Sequence, residues 1–296
     1  MTVLITGGGG FLGAWIIRRL VARGIDVRVF DCREDRAVTR EIIGDAANNL
    51  DWRTGDVASL DDITKASAGC DFAIHLAALL TPACADDPIL GAEVNLIGTL
   101  NVFEAAKLAS MRGVAYASSA GVFGPDDGAT PFPVTHYGAF KLACEGAARA
   151  YWNDAGMPSV GFRPLVVYGP GRDVGLTAGP SIACKKAASG EPYTIGFSGA
   201  TDMIFVDDVA AAFAAAVLQP FEGAHAFSLV GEGVDVADIA AAISACVAGA
   251  EIDWDGPPVP VHPMITPGAV EDLLGPLPHT SLADGLEQTV AHYRMS

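Results

Sequence analysis

The chain has 296 residues, which at roughly 100–200 residues per domain allows one large α/β domain or two smaller ones. A composition of 51% hydrophobic and 18% charged residues excludes a disordered, collagen-like or coiled-coil protein. Lys and Arg number 18 against 35 Asp and Glu, and the resulting charge of −17 repels phosphate backbones and anionic membranes, so neither nucleic acid nor membrane is expected as a partner.

Cys32, Cys70, Cys84, Cys144, Cys184 and Cys246 form no C-x-x-C and no close Cys/His cluster, so no zinc site, other metal site or disulfide framework is expected. Buried free thiols in a reducing compartment fit better. The apolar start over 3–12 lacks a basic region before it and is broken by four glycines, and no 18-residue apolar run follows. The expectation is a cytoplasmic protein.

Residues 3–6 form an apolar run ended by four glycines at 7–10, and Leu12, Ile16, Ile17 and Leu20 follow at helical spacing: strand, turn, helix. Gly24 ends the helix, and 27–31 predicts a second strand closing on Asp31. The alternation continues with a strand over 50–54, a helix over 60–68, a strand over 72–76, a long helix over 92–108 and a strand over 113–117. This pattern predicts a doubly wound parallel sheet of the Rossmann type. A second long helix covers 137–152, a strand 159–163, and a Pro/Gly-rich stretch of turns 164–180. Beyond it the alternation loosens. Helices over 181–189, 206–218 and 236–248 interleave with short strands such as 226–229, the four prolines of 256–263 read as a connector, and a last amphipathic helix covers 281–293.

Gly7-Gly-Gly-Gly10-Phe11-Leu12-Gly13 follows G-x-x-G-x-x-G between a strand and a helix, where bare backbone lets a pyrophosphate approach the helix N-terminus. Gly7 would make the turn, Gly10 the close approach and Gly13 the helix packing. Asp31 falls 18 residues after Gly13, where a carboxylate accepts from both ribose hydroxyls and repels a 2′-phosphate. NAD is therefore expected rather than NADP, with Arg33 and Arg36 read as solvated loop charges. Asp56 and Val57 follow the third strand. Asp56 either accepts from the adenine amino group or caps the helix that begins near residue 60.

Tyr137-Gly-Ala-Phe-Lys141 puts a phenol and an ammonium on one helix face, where the positive charge favours phenolate and the phenol can exchange a proton with a substrate hydroxyl or carbonyl. Ser118-Ser119 ends a strand before Gly121, placing a hydroxyl at the carboxyl edge of the sheet, where ligands of such sheets bind. His75 sits in an apolar strand and reads as a core histidine.

These segments, together with His75-Leu-Ala-Ala78, Asn95-Leu-Ile-Gly-Thr99, Ser118-Ser-Ala-Gly-Val-Phe-Gly124, Arg163-Pro-Leu-Val-Val-Tyr-Gly-Pro170 and Phe205-Val-Asp-Asp-Val209, resemble the extended short-chain dehydrogenase/reductases, the NAD-dependent epimerase/dehydratase group. The resemblance covers nearly the whole chain. It implies an NAD-binding domain mainly over 1–163 and a smaller substrate-binding lobe mainly over 164–296, with about 200–218 returning to the first domain. It implies that Ser119 hydrogen-bonds the reacting oxygen, Tyr137 is the acid/base, and Lys141 holds the nicotinamide ribose and tunes the tyrosine. Leu76, Ala77 and Ala78 match the loop beneath that ribose, Asn95 a polar residue behind the cofactor, and Pro164, Leu165, Val166 and Val167 the cover over the nicotinamide. Leu80, Ser119, Gly121, Val122, His136, Arg172 and Thr177 are the candidate substrate contacts, His136 as rim polarity rather than a second base. A homodimer through the helices over 92–108 and 137–152 is also implied.

The chain departs from relatives that act on nucleotide sugars. Those hold the diphosphate with an arginine at the start of an R-D-F-x-x-V-x-D segment, where this chain has Thr201, and with another in an R-x-G-D-like element, where Ile265-Thr-Pro-Gly-Ala269 has none. After Arg172 the next arginine is Arg294, with Lys185 and Lys186 the lysines between. A buried diphosphate with so little compensation would be costly. The acidic residues that dehydratases carry after the active-site hydroxyl are replaced by Ala120-Gly121. The expected activity is hydride transfer at a secondary alcohol or ketone of a small sugar, sugar acid or polyol. The alternatives are a UDP-sugar 4-epimerase with tightly bound NAD and a non-catalytic NAD-binding sensor, the latter having no chemical need for Ser119, Tyr137 and Lys141 together.

Overall fold

The computed structural model describes residues 1–295. Its first half runs β1 (Thr2–Thr6), α1 (Phe11–Val21), β2 (Asp26–Asp31), α2 (Ala37–Ile43), β3 (Asp51–Thr54), α3 (Leu60–Ser67), β4 (Phe72–His75), α4 (Thr81–Asp86), α5 (Pro88–Ala92), α6 (Gly98–Leu108), β5 (Val114–Ala117) and α7 (His136–Ala155). The second runs β6 (Ser159–Pro164), β7 (Val166–Tyr168), α8 (Gly179–Ala188), β8 (Tyr193–Ile195), β9 (Ala200–Phe205), α9 (Val206–Leu218), β10 (Ala224–Leu229), β11 (Glu232–Asp235), α10 (Val236–Cys246), β12 (Ile252–Trp254), α11 (Val270–Leu274) and α12 (Leu282–Met295).

Seven parallel strands form the main sheet in the order β10-β6-β5-β4-β1-β2-β3. Its central strands are continuous apolar runs because both faces are covered. Side chains alternate across β1: Val3 and Ile5 pack with Trp15, Ile16, Ile17 and the α9 residue Phe213 on one face. Leu4 packs with Ile63, Val102 and Phe103 on the other. The strand order reverses between β1 and β4, which places a crevice at their carboxyl ends, the usual ligand position in an open α/β sheet.

After Pro164 the chain leaves this sheet. β7 pairs with β9 and β9 with β11 in a three-stranded sheet, while β8 and β12 form a separate pair. The stretch 164–180 is thus not all turn. Val166–Tyr168 is a buried strand, hidden in the sequence because three residues between prolines and glycines show no period. The second half then returns to the first: α9 docks on α1 through a bidentate Arg19–Asp207 pair at 2.7 and 2.8 Å, and β10 adds itself beside β6. The helix expected over 92–108 is interrupted by a π-helical turn over Glu93–Ile97 between α5 and α6. Among the described residues, no helix is long and apolar enough to cross a membrane.

Candidate active site

At the end of β1 the chain turns at Gly7, whose φ of +68° is the left-handed region that favours glycine. A Cβ there would lie 2.7 Å from the Ala77 amide nitrogen, so the turn presses directly on the 76–78 loop that follows β4. Gly13 matters for packing, since a Cβ on it would lie 2.7 Å from Gly8 Cα. Gly10 is the N-cap of α1 and supplies no side-chain cap. The N–H groups of Phe11, Leu12 and Gly13 are therefore open at a helix N-terminus, where a pyrophosphate could accept from them.

Asp31 closes β2 beside this turn. Its Oδ2 accepts from the Gly9 amide at 3.0 Å and its Oδ1 from the Cys32 amide at 2.8 Å, which fixes the carboxylate and leaves lone pairs for ribose hydroxyls. Arg36 is committed to Glu34 in its own loop at 2.8 Å, to the Ala47 carbonyl beyond α2 and to the Trp52 ring on β3. Asp56 does not cap α3. Its Oδ1 accepts from the Ala58 amide at 2.9 Å, and the cap is Ser59, whose hydroxyl accepts from the Asp62 amide at 3.3 Å. Val57 is buried against Gly98. The residues present fit NAD: uncapped amides for the diphosphate and a carboxylate for the adenosine ribose.

Behind the groove, Thr99 donates its hydroxyl proton to the Asn95 carbonyl at 2.6 Å, so it accepts from His75 Nε2 at 3.0 Å, and His75 Nδ1 is left to accept from the Thr6 hydroxyl at 2.7 Å. Burial, reinforced by the charge of Lys141, pushes the His75 pKa down to about 3, so the ring is neutral. Asn95 is itself buried and clamps Leu79, accepting from its amide at 2.7 Å and donating to its carbonyl at 2.9 Å. It braces the 76–80 loop from within the π-helical turn over Glu93–Ile97.

Lys141 is 3% exposed; its Nζ donates to the Ala117 carbonyl at 2.6 Å and lies 5.6 Å from the centroid of the Tyr137 ring. Ser119 Oγ accepts from the Gly121 amide at 3.0 Å, which leaves its own proton to donate outward. Glycine is needed at one point in this cluster and fits closely at a second. A Cβ on Gly138 would lie 2.0 Å from the Gly121 carbonyl oxygen, and one on Gly121 would lie 3.3 Å from Ser119 Oγ and 3.6 Å from the Tyr137 ring. The start of α7 can therefore sit on the 120–122 turn, with Tyr137 and Ser119 facing the same space. Beneath them Glu145, 1% exposed, accepts from the Ser118 hydroxyl at 2.5 Å and from Arg163 Nε at 2.6 Å, with a second Arg163 contact to its other oxygen.

Ser119 and Tyr137 open into a cleft of about 130 Å³, below the roughly 300–1,000 Å³ of pockets that take drug-sized ligands. Of the candidate substrate contacts, Leu80, Ser119, Gly121, Arg172 and Thr177 line it. Val122 and His136 do not. Val122 is fully buried with Ala120, Phe123 and Ile265, because a single 3₁₀ turn points it inward. His136 is exposed and stacks on Phe140, since one step along a helix rotates the side chain by about 100° from Tyr137. Leu165, between β6 and β7 and within the expected cover, also lines the cleft, as does Thr135, which caps α7 and was not among the expected contacts. The sequence reading missed the wall formed by Val259, Pro260 and Val261, which comes from the segment read only as a connector. Thr135 was legible as a capping residue before the helix; the wall had no local signal.

The Rossmann-type sheet, the glycine turn and Asp31 together define a dinucleotide-binding protein. The profile of the NAD dependent epimerase/dehydratase family matches residues 3–230. A UDP-glucose 4-epimerase from Mycolicibacterium smegmatis is 30% identical over 99% of each chain. The structure of a Thermus thermophilus UDP-glucose 4-epimerase complexed with NAD is similar at a TM-score of 0.84, with 26% identity over 99% of each chain. A partial consensus L-threonine 3-dehydrogenase shares the fold at a TM-score of 0.88, with 21% identity over the full length of both. The chain belongs to the NAD-dependent epimerase/dehydratase family, and NAD is its cofactor.

Proposed function

We propose that the protein is a dehydrogenase that oxidises a secondary alcohol of a small polyhydroxylated substrate, such as a sugar or sugar acid, and releases NADH. The observation that carries this reading is the convergence of Ser119 and Tyr137 on one small cleft in which Arg172 is the only cationic lining residue among those described. Bound NAD supplies the hydride acceptor. Ser119, its own hydroxyl already accepting from Gly121, donates to the reacting oxygen, and Tyr137 takes the hydroxyl proton as general base. Lys141 keeps two of its three N–H donors after binding Ala117, enough for the nicotinamide ribose hydroxyls, and its charge stands beside the tyrosine.

The first element that nucleotide-sugar relatives use for the diphosphate is closed off here. Thr201 replaces the arginine and is 1% exposed within β9. A second reading, a nucleotide-sugar 4-epimerase retaining NAD through each cycle, is favoured by the Mycolicibacterium smegmatis relative that matches end to end. Screening sugars and sugar acids for NADH formation separates the two. The dehydrogenase reading expects net NADH and no stabilisation by UDP; stabilisation by UDP-sugars with no net NADH would make the protein an epimerase. Turnover of either kind excludes a non-catalytic sensor.

The same reading takes the protein as a cytoplasmic homodimer. Unpaired thiols such as Cys32 and Cys70 suit a reducing compartment, and Ile97 and Leu108, 44% and 64% exposed at the two ends of the α6 region, supply apolar surface for pairing. Sedimentation giving only a monomer at micromolar concentration would contradict the dimer.

A further inference from the structure

Arg172 has no carboxylate partner among the described residues, whereas Arg19, Arg28 and Arg163 each hold one at 2.6–2.7 Å. Its neighbour Asp173 pairs instead with Lys185 at 2.9 Å. The guanidinium is nevertheless fixed. One terminal nitrogen donates to the Val167 carbonyl, the other donates to Thr177 Oγ1 at 2.8 Å, and the group lies 5.8 Å from the Phe11 ring centroid. Those two bonds use two of its five N–H donors. Gly175, at a φ of +109°, folds the 172–177 loop over this group; a Cβ there would lie 3.2 Å from Leu80 Cδ1 and 3.7 Å from an Arg172 terminal nitrogen. Burial lowers the Arg172 pKa to about 10, only partly opposed by Tyr137, so the charge is held at a desolvation cost that nothing else in the cleft offsets.

A cation held partly away from water is costly unless it is paired, and in a chain with 35 carboxylates an internal partner could readily have been supplied. A guanidinium held rigid without one, in the same cleft as Ser119 and Tyr137, is built to receive a planar or forked oxyanion. We propose that Arg172, oriented by Thr177, binds an oxyanion carried by the substrate itself: a carboxylate or a phosphate monoester on the polyhydroxylated chain whose alcohol meets Ser119 and Tyr137. This rests on the cleft being the substrate site, and it narrows the substrate from a neutral sugar to an acidic one.

The test is calorimetric binding to the NAD-loaded protein, using D-glucuronate and D-gluconate as carboxylates, D-glucose 6-phosphate as a phosphate monoester, D-glucose as the neutral control, and acetate and inorganic phosphate as probes free of any sugar scaffold. At least one anion should bind tenfold or more tightly than glucose, and which one names the source of the oxyanion. R172Q should weaken that anion roughly 10- to 100-fold, the range of a hydrogen bond to a charged group, while NAD affinity stays within twofold. R172K should fall between the two, which guards against misfolding as the cause. The proposal is overturned if no anion binds in an Arg172-dependent way. It is equally overturned if R172Q instead costs NAD binding, which would put the guanidinium on the cofactor's pyrophosphate, or if UDP, titrated alongside these probes, is the anion whose binding R172Q removes. NADH formation without charge preference would sink this proposal and spare the dehydrogenase; Arg172-dependent binding with no NADH from any bound anion would do the reverse.

Discussion

Replacing Glu145 by glutamine changes one atom and removes the charge at the base of the site. Glu145 is 1% exposed, and the Arg163 side chain it holds is 15% exposed. Glutamine keeps an acceptor for Ser118 or for Arg163, but the guanidinium loses its counter-charge in a place that water reaches only in part. Breaking a buried pair on one side costs about 3–5 kcal/mol, because the remaining charge is uncompensated. At roughly 2–4 °C per kcal/mol for a chain of 150–250 residues, and somewhat less here, E145Q should melt about 6–15 °C below the wild type. Calorimetry and urea unfolding both measure this. The double variant Glu145→Leu with Arg163→Met, which removes both charges, should recover most of the loss. An E145Q protein within 1 kcal/mol of wild type, or a double variant as unstable as the single one, would refute the view that this pair is a desolvated charge pair supporting the Ser118–Ser119 strand end.

Asp31→Ala should narrow the preference for NAD over NADP by removing repulsion of the 2′-phosphate, read as the ratio of kcat/KM for the two cofactors; equal use of both by the wild type would count against the assignment. His75, held neutral with its pKa near 3, is protonated first in the unfolded chain, so it contributes a loss of stability as pH falls below about 6.5 toward 3. The stability difference between wild type and His75→Gln should therefore move against the wild type by up to about 1.4 kcal/mol per pH unit in that window, and a flat difference would show that the ring is not desolvated.

What the sequence made legible follows the reach of each constraint. The glycine turn and the place of Asp31 beside it could be read because both are set within a single strand-turn-helix-strand segment. Tyr137 and Lys141 could be read because one helical turn joins them. Their contacts could not: that Lys141 binds Ala117, or that Gly138 is needed because it sits on the Gly121 carbonyl, depends on two segments meeting in space. The same limit hid the wall at Val259–Val261 and the Glu145–Arg163 pair, whose members lie 18 positions apart on different elements. His136 and Val122 lie off the cleft for a local reason: helix and turn geometry direct side chains that are neighbours along the chain apart.

The measurement that bears most directly on the central claim is a paired determination on Tyr137→Phe: the rate of NADH formation with the best sugar acid or polyol of the panel, and NAD affinity by fluorescence titration. The substitution removes the phenolic oxygen proposed to take the proton and leaves the ring over which Lys141 is placed. A general base contributes roughly 10²–10⁴-fold, so kcat should fall by at least about a hundredfold while the NAD dissociation constant changes less than twofold. Turnover retained within tenfold of the wild type would contradict Tyr137 as the proton acceptor, and with it the dehydrogenase mechanism assigned to this cleft.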